Sequence, residues 1–559
     1  MNKSLSSLAL LNVGLTCAAL LLWRSKKDSE DKLRQFTVSA IAELETPGPP
    51  LSSNASSGPA LASAAGARFT QSLLTALRQL LVSRDSRANE ALLTFKDADA
   101  YRNFLTRAKA AGLTRLGELP DLRSIRVRYV SAKALLSELS TNAADYTDVS
   151  ANSLLHVPSP PATPPKEDRA ALDQIPFGNT ALSFLGVPIE HTQWGQGITL
   201  AILDTGVMPD ATFGTGRLRT IDIGLGTVAG RADEDGHGTA VAALAAGSSS
   251  DAPGVAPSAN ILSIRVTDAT STSDTFTIAQ AIVAAVGAGA KVINVSLGGY
   301  STSATLSAAI GYATERGSII VAAAGNDQAA QLAWPAADSR VISVGAIDRA
   351  GQQVTFSNSG PNLSLTAPGY GVQTAWQDGQ RVYVDGTSAS APLVAGAIAA
   401  ALSQNTSLTP ATAAHLLLAS ANDAGVPGSD ASYGHGILNV GWALNRNNSA
   451  YYDPAIASHY FDAANSQMQF IVQNRSGAAA AGLQLDVATT AGPNFTSTLF
   501  TVPPLAAGES YVATVPVDRA ALKSAGTLTY TTQLTTPPGR TDCVPTNNRK
   551  SSTLTAPSL

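Results

Sequence analysis

Cysteine and charge are both scarce in this chain. Among its 559 residues only two are cysteines, Cys17 and Cys543, and they lie in regions of very different character. We therefore expect neither a disulfide framework nor a cysteine-based zinc site. Charged residues make up only 14% of the sequence, and the formal net charge of -4 offers no electrostatic basis for binding nucleic acid.

Apolar residues, glycine and proline are plentiful instead. Hydrophobic residues account for 44% of the chain, which also contains 46 glycines and 30 prolines. This composition is typical of compact, loop-rich globular structure rather than of disorder. The length suits two to four domains of roughly 100–200 residues each.

Residues 1–27 are interpreted as an N-terminal signal or anchor segment. An uncharged, mostly apolar run extends from Ser4 to Trp23 and is about long enough to cross a bilayer. A signal peptide cleaved near residues 16–18 is one alternative, but the apolar run continues beyond that point, which favours an uncleaved transmembrane anchor. One basic residue precedes the run and three follow it, a bias that by itself favours a cytoplasmic C-terminal side.

Residues 28–174 contain one small predicted domain between two linkers. Residues 28–87 form a linker region with a stretch rich in serine, proline and alanine, and residues 159–174 form a proline-rich linker. Between them, residues 88–158 show strand patterns at 91–95, 113–119 and 124–130, helix patterns at 98–111 and 131–140, and a final extended segment at 146–157. This order, βαββαβ, predicts a ferredoxin-like α+β domain.

Residues 175–448 alternate apolar strand patterns with helical ones. The strands are predicted at 197–203, 261–266, 292–297, 318–324 and 341–346, and the helices at 240–246, 278–289, 305–316 and 393–402. Strands that are apolar on both faces and are joined by helices predict an α/β fold with a doubly wound parallel sheet. From 449 to 559 short β-prone runs recur between turns, which predicts a small all-β sandwich as an accessory domain.

Two motifs of the α/β region carry side chains suited to catalysis. Asp204 ends the first predicted strand, and open α/β sheets form their sites at such carboxyl ends. His237 lies between two glycines, which let other backbone approach closely, and Thr239 is expected to help start the helix that follows. Each motif alone is more typical of a turn or a cap, so their weight comes from their combination.

Two further motifs complete a possible acyl-transfer site. Ser388 precedes a helix that is apolar all round and therefore buried, so a rigid element would aim its hydroxyl. A hydroxyl needs a neighbouring imidazole to take its proton and a carboxylate to orient that imidazole. Asn326, at the end of another strand, can donate its side-chain N–H to an oxyanion beside the backbone N–H of Ser388.

In the order Asp204, His237, Asn326, Ser388, the chain resembles the subtilisin-like serine peptidases (subtilase, S8 family). The sequences at 292–299 and 366–369 also match the family, and the resemblance covers about residues 175–445. It implies a serine endopeptidase whose catalytic residues are Asp204, His237, Ser388 and Asn326 and which forms an acyl-enzyme on Ser388.

The resemblance also implies how substrate binds. The segment Ser296, Leu297, Gly298 would pair with an extended protein or peptide substrate by β-strand addition. Ala324 and Gly325 would line the pocket for the residue before the scissile bond. The domain at 88–158 would be an inhibitory propeptide of a zymogen, processed near residues 156–166.

The sequence departs from the family pattern at three places. Ala240 replaces the usual second histidine of the histidine motif, and Ala389 replaces the usual methionine after the nucleophile. Without that methionine, mild peroxide is expected to leave activity nearly intact. The stretch 270–274 lacks the glycines often found along the second edge of the substrate cleft.

Acidic residues near the site have two readings each. The trio at 233–235 is a candidate for calcium, as in some relatives, but a solvated loop is favoured; no cofactor is required and no clear metal site is predicted. Asp327, which follows Asn326, is either an ordinary surface carboxylate or one that makes the pocket rim favour basic side chains.

Two other functions are weighed against the peptidase. Asp204-Thr205-Gly206 also matches an aspartic-protease signature, but that class needs a second such carboxylate and no second Asp-Thr-Gly occurs. The other alternative is a non-catalytic scaffold whose C-terminal sandwich binds a partner or a cell surface, and the presence of every triad residue argues against it. Adhesion, substrate capture and stabilisation are all open as roles of the C-terminal domain. By analogy with the family we expect the catalytic domain outside the cytoplasm, secreted or membrane-anchored, against the charge bias noted above.

Overall fold

The structure is a computed structural model that describes residues 83, 85–157, 174–224 and 236–555. These residues form two compact units. The first contains the described residues up to Ser153 together with Ser303–Thr305, and the second contains the remainder. The predicted membrane anchor, almost all of both predicted linkers and the acidic trio at 233–235 lie outside the described residues.

The first unit has a four-stranded antiparallel sheet in the order β2-β3-β1-β4. Its elements follow the βαββαβ order of a ferredoxin-like unit: β1 (Glu90–Phe95), α1 (Ala98–Arg107), β2 (Leu113–Leu119), β3 (Ser124–Tyr129), α2 (Ala132–Thr141) and β4 (Tyr146–Ser150). Asp97 and Ser131 cap the two helices through their side chains. Phe95, Phe104 and Tyr146 form an aromatic cluster in the core.

The extended segment predicted at 146–157 is divided in the structure. Strand β4 ends at Ser150, and β5 (Leu154–His156) pairs in another sheet of the second unit. Asn152 lies fully buried at the break and donates a side-chain hydrogen bond to Glu90 at 3.1 Å, which holds the turn in place. The first unit therefore ends near 153 rather than at 158.

The second unit is built on a seven-stranded parallel sheet in the order β15-β14-β13-β12-β6-β10-β7. This sheet confirms the predicted α/β fold with a parallel sheet. Its strands are β6 (Thr199–Asp204), β7 (Leu218–Ile221), β10 (Asn260–Arg265), β12 (Val292–Val295), β13 (Ile319–Ala323), β14 (Ile342–Ile347) and β15 (Leu365–Pro368). Smaller pairs join β8 (Ser248–Ser249) to β9 (Ala252–Pro253), β11 (Thr272–Asp274) to β5, and β16 (Val372–Ala375) to β17 (Arg381–Val384).

Helices accompany this sheet. They are α3 (Ala181–Phe184), α4 (His237–Ala246), α5 (Thr275–Gly287), α6 (Ala304–Glu315), α7 (Thr387–Gln404), α8 (Pro410–Ala419) and α9 (Val440–Asn445). Helix α7 is buried from its first residue to Leu402 and contacts α4 and the strands β12 to β15. Both α4 and α7 begin several residues earlier than the hydrophobic pattern predicts, directly after Gly236 and Gly386, so His237 and Ser388 lie inside first turns.

Two antiparallel sheets follow residue 450. One has the order β18-β19-β22 and the other β21-β20-β23-β24, and the apolar residues of both contribute to one core. The strands are β18 (Pro454–Asp462), β19 (Gln467–Asn474), β20 (Gln484–Ala491), β21 (Asn494–Thr501), β22 (Ser510–Pro516), β23 (Thr527–Thr535) and β24 (Arg549–Thr555). One helix, α10 (Arg519–Ala525), interrupts them where the sequence predicts none. Cys543 is an exposed free thiol.

Within the described part of the chain, no helix is both long enough and apolar enough to span a bilayer. The same residues contain no group of three or more histidine, cysteine or acidic side chains that could hold a metal ion.

Candidate active site

Asp204 lies at the carboxyl end of β6, a strand that pairs with β10 on one side and β12 on the other. The side chain is fully buried. Its Oδ1 accepts a hydrogen bond from the Thr205 N–H at 2.8 Å and lies 2.7 Å from Nδ1 of His237. A rigid strand therefore holds the carboxylate against one edge of the imidazole.

His237 is the first residue of α4, and the glycines on both sides of it are required by space. A Cβ atom on Gly236 would lie 2.5 Å from the Trp376 ring, and one on Gly238 would lie 2.1 Å from the carbonyl oxygen of Gly206. Thr239 does not cap the helix, as the sequence suggests, but accepts a hydrogen bond from the Met208 N–H. The close packing fixes the position of the ring.

The contact with Asp204 also assigns the two ring nitrogens of His237. A carboxylate only accepts hydrogen bonds, so the facing Nδ1 carries the proton and Nε2 is left with a lone pair. The His237 side chain is 15% exposed, and its ring lines the cavity that Ser388 also lines. The imidazole can therefore take up a proton at Nε2 while Asp204 stabilises the resulting charge.

Ser388 is the second residue of α7 and is almost fully buried. The start of this helix is fixed to two strand ends. Ser390 donates hydrogen bonds to the carbonyl oxygens at the end of β15, and the backbone carbonyl of Ser388 accepts one from the Ser296 hydroxyl at 3.1 Å. Ser388 and His237 line the same cavity, so the structure brings both side chains to one place.

Asn326 has a defined amide orientation. Its Oδ1 accepts hydrogen bonds from the backbone N–H of Thr387 at 2.9 Å and from the Thr387 hydroxyl at 2.8 Å. Because both partners donate, the oxygen must face Thr387 and Nδ2 must point away from it. A Cβ atom on Gly386 would lie 2.9 Å from Asn326 Nδ2 and 3.0 Å from Ser388 Oγ, so these two atoms flank one point in space.

The predicted substrate-pairing edge is occupied by the chain's own strand β5. His156 and Gly298 exchange both backbone hydrogen bonds, at 2.8 and 3.0 Å. On the other side, β5 pairs with β11, and the Val157 N–H donates to the Ser271 carbonyl at 3.2 Å. The stretch 270–274 thus forms a second edge although it lacks glycines, because β pairing uses backbone groups that every residue except proline supplies.

The remaining predicted pocket residues are held by Asn358, which the sequence did not single out. Ala324 and Leu297 are buried, and a Cβ atom on Gly325 would lie 2.2 Å from Asn358 Nδ2. The Asn358 amide donates to the Ala324 carbonyl and accepts from the N–H of Asp327. Asn358 therefore shapes the loop that carries Asn326.

The carboxylate of Asp327 has a specific partner. It accepts a hydrogen bond from the hydroxyl of Tyr300, which in turn accepts one from Asn358 at 2.8 Å. Burial and the neighbouring Asp327 carboxylate raise the pKa of Tyr300 to about 12, so this phenol keeps its proton. The sequence signal for this network was weak, because its three members lie on separate loops.

An open cavity of ≈ 500 Å³ lies beside Ser388 and His237. Its walls are largely apolar and include Ala240 and Ala389, two of the three places where the sequence departs from the family pattern. A buried carboxylate, an oriented imidazole and a serine at a helix start, carried by a parallel α/β sheet, are the arrangement found in serine hydrolases that use a triad.

Comparisons with known proteins identify the family. The model described as "Peptidase_S8: Subtilase family" matches residues 195–436. Subtilisin Savinase from Lederbergia lenta is 35% identical over 278 residues, which cover 48% of this chain and 97% of that protein. An alkaline protease from Shouchella clausii is 34% identical over 278 residues, which cover 48% of this chain and 69% of that protein.

Among solved structures, the protease domain of PatA is similar, with 29% identity and a TM-score of 0.42 over 46% of this chain and 97% of that one. The chain belongs to the subtilase family and is a subtilisin-like, serine-type endopeptidase.

Proposed function

We propose that Ser388 is the nucleophile of this endopeptidase and that peptide hydrolysis proceeds through an acyl-enzyme on its Oγ. His237 Nε2 takes the serine proton as Oγ attacks the substrate carbonyl, and it later gives that proton to the departing amine. Water then attacks the acyl ester, and His237 again moves the proton. The 2.7 Å contact between Asp204 and Nδ1 is the observation that carries this proposal.

Two donors stabilise the oxyanion formed in each attack. One is Nδ2 of Asn326, whose direction is set by the two hydrogen bonds that its oxygen accepts from Thr387. The other is the backbone N–H of Ser388, since the first N–H groups of a helix have no partner within the helix. The helix start adds a favourable dipole for negative charge.

A hydrolysis assay with class inhibitors tests this function. Purified protein is expected to cleave an unfolded protein substrate, to lose activity with a fluorophosphonate and to keep it with pepstatin. Ser388→Ala should abolish cleavage, while the matched variant Ser403→Ala, at the far end of the same helix, should retain it. Pepstatin inhibition without fluorophosphonate inhibition would instead favour the aspartic-protease alternative, and a folded protein inactive toward every peptide would favour the scaffold.

The chain is further proposed to be made as a zymogen that its own N-terminal region inhibits. Strand β5 lies between the two substrate-pairing edges, and Val157 lines the cavity that contains Ser388. Of residues 154–157, Val157 is the one that lines the cavity with Ser388, as a residue near the cleaved bond on the acyl side of a substrate would. This supports processing in the interval 156–166. After that cleavage, the segment that contains β5 would remain bound in the cleft as a reaction product does.

A peptide of residues 150–157 tests the inhibitory role. It should inhibit the processed enzyme competitively. The same peptide methylated on the backbone nitrogen of His156 cannot donate to Gly298, and we expect it to inhibit about tenfold more weakly. Equal inhibition by both peptides would contradict the pairing in solution.

The catalytic domain is proposed to act outside the cytoplasm, secreted or anchored by residues 1–27. The apolar run from Ser4 to Trp23 and the extracytoplasmic work typical of subtilases with propeptides support this location. Reporter fusions placed after Lys27 test it. Activity of a periplasm-specific reporter is the expected result, and activity of a cytoplasm-specific reporter would overturn the proposal.

A further inference from the structure

Strand β21 is an open edge of the C-terminal four-stranded sheet. In the described part of the chain it pairs with β20 alone, and seven of its eight residues are exposed. Phe495 and Leu499 lie on its outer face and are 66% and 62% exposed, whereas Phe500 turns inward and packs against the core of the two sheets. Large apolar side chains this exposed at a sheet edge mark a candidate contact surface.

The strand β21 lacks the features by which natural edge strands resist pairing. It contains no proline and no charged residue, and its register with β20 has no bulge. The opposite edge of the same sheet, β24, begins at the exposed cation Arg549. In the other sheet, the edge strand β18 has a bulge and the edge strand β22 ends at Pro516. Among these four outer strands, β21 is therefore the one open to a further strand.

Half of the backbone groups of β21 face away from β20. Gly492 and Pro493 form the two-residue loop between the two strands, so the closing pair Ala491–Asn494 is hydrogen-bonded and the pair types alternate from there. The residues at 495, 497 and 499 fall in the other type of pair, and their N–H and C=O groups point to the free side. The same three residues place their side chains on the exposed outer face.

The sequence of β21 is almost symmetric about Ser497. Thr496 and Thr498 flank this serine, and Phe495 and Leu499 flank the two threonines. When two identical strands pair antiparallel around Ser497, each Ser497 faces the other and each Phe495 faces Leu499 of the second copy. The facing residues are those whose N–H and C=O groups point outward, so each facing pair can exchange two hydrogen bonds.

We propose that β21 binds β21 of a second copy of this chain in this two-fold register, which joins two four-stranded sheets into one continuous sheet. The absence of charge on the strand means that the two copies meet without repulsion. Two phenylalanines, two leucines and the backbone between them place on the order of 1,000 Å² in the contact, at the small end of specific interfaces. The dimer is therefore weak and depends on protein concentration. The inference does not depend on the peptidase function.

Sedimentation velocity of the full-length chain at about 1 to 100 μM tests the inference. The chain carries Ser388→Ala so that it stays intact. Its mass should rise from monomer to dimer over this range, and Leu499→Lys should raise the dissociation constant at least tenfold, because it places a charge opposite Phe495 of the second copy. The matched variant Ser551→Lys, on the outer strand β24, should dimerise like the parent.

A charge pair tests the register. Phe495→Glu alone should weaken the dimer as Leu499→Lys does. The double variant Phe495→Glu, Leu499→Lys brings a carboxylate against an ammonium at both ends of the paired strands, so it should dimerise more tightly than either single variant. A double variant no tighter than the single ones overturns the register.

Cysteine cross-linking decides the question even if a charged variant fails to fold. In a background with Cys17→Ser and Cys543→Ser, Ser497→Cys should give a disulfide-linked dimer, because facing residues of a hydrogen-bonded pair have Cα atoms about 5.5 Å apart. Phe495→Cys, whose counterpart lies four residues away along the second strand, should not. A chain that stays monomeric at every concentration, including one that binds an unfolded polypeptide at this edge, overturns the proposal, as does a dimer that cross-links at neither position.

Discussion

Two buried charged clusters of the second unit differ in one respect. The proposed catalytic pair, Asp204 and His237, is buried on the carboxylate side but has an imidazole that lines an open cavity. The interface cluster, Arg475, Asp453 and Asp423, is enclosed on all sides, where the C-terminal sheets meet the α/β part. Burial lowers the pKa of Arg475 and raises the pKa of Asp453, so burial alone disfavours the charged form of each side chain.

The difference indicates separate roles. A pair with one open side can exchange a proton with a substrate, whereas a closed cluster can only contribute to stability. Gln473, beside the interface cluster, bonds both the Asp423 N–H and the Ala421 carbonyl, which ties the two parts together. Substitutions in the first cluster should therefore change rates, and substitutions in the second should change the free energy of unfolding.

The largest effect is expected for Asp204→Asn. The amide can present an N–H to Nδ1 of His237, which favours the wrong tautomer and removes the stabilisation of the imidazolium. We expect kcat to fall by about 10⁴-fold with the fold retained. Peptide hydrolysis measures kcat, and thermal unfolding measures whether the fold is retained. A decrease in kcat of less than tenfold would contradict a triad role for Asp204.

Asn326→Ala should have the next largest effect. It removes one oxyanion donor that acts only when charge develops, so kcat should fall by about 10²- to 10³-fold while KM changes little. Asn362→Ala, at an exposed asparagine near Asn358, serves as the control. A rise in KM with unchanged kcat would instead make Asn326 a substrate-binding residue.

Arg475→Met should act on stability alone. Removal of the cation leaves Asp453 and Asp423 buried without their counter-charge, and we expect the free energy of unfolding to fall by about 3 kcal/mol. Denaturant unfolding measures this loss, and kcat of the folded variant should stay near the wild-type value. Arg519→Met, at an exposed position of the same region, should change neither quantity.

Asp423 should make stability depend on pH. Burial, with the nearby Asp430 charge, raises the pKa of Asp423 to about 6. The Gly428 N–H, which donates one hydrogen bond shared by both carboxylate oxygens, and the charge of Arg475 act in the opposite direction. The folded state therefore binds this proton more tightly than the unfolded state. Its contribution grows as pH falls through 6 toward the unfolded value near 3.8, and it is absent at neutral pH.

The comparison with Asp423→Asn isolates that contribution. Relative to the variant, the wild type should gain on the order of 2 kcal/mol of unfolding free energy between pH 7 and pH 4. Asp378→Asn, at an exposed turn, should show the same pH dependence of the free energy of unfolding as the wild type. A constant difference between wild type and Asp423→Asn over this range would show that Asp423 does not titrate between these limits.

The smallest effect is expected from mild oxidation. Ala389 stands where a methionine would otherwise adjoin the nucleophile, so peroxide finds no thioether next to Ser388. Activity should survive a treatment that oxidises an exposed methionine in a reference peptide. Rapid inactivation with sulfoxide confined to Met208 or Met468 would contradict this expectation.

The motifs of the candidate active site could be recognised in the sequence because each is local. Asp204 follows an apolar predicted strand, His237 directly follows Gly236, and Ser388 lies two residues after Gly386, so each motif could be read from a few neighbouring residues. The parallel sheet followed from its continuous apolar strands in the same way.

The parts that were missed depend on contacts distant in sequence. Strand β5 looks continuous with β4, and only its pairing with β11 and Gly298 separates them. Asn358 is unremarkable among its neighbours, yet it contacts the loop after β13 and the Tyr300 hydroxyl. The cavity beside Ala240 and Ala389 likewise forms where two helices meet, so the sequence pattern alone does not predict it.

The most direct test of the account locates a fluorophosphonate adduct by peptide mapping of the folded, processed protein. The account predicts one adduct per chain, on Ser388, and a slower reaction when the peptide of residues 150–157 is present. A folded protein that hydrolyses peptides but is modified at another serine, or not at all, would contradict the assignment of Ser388 as the nucleophile beside Asp204 and His237.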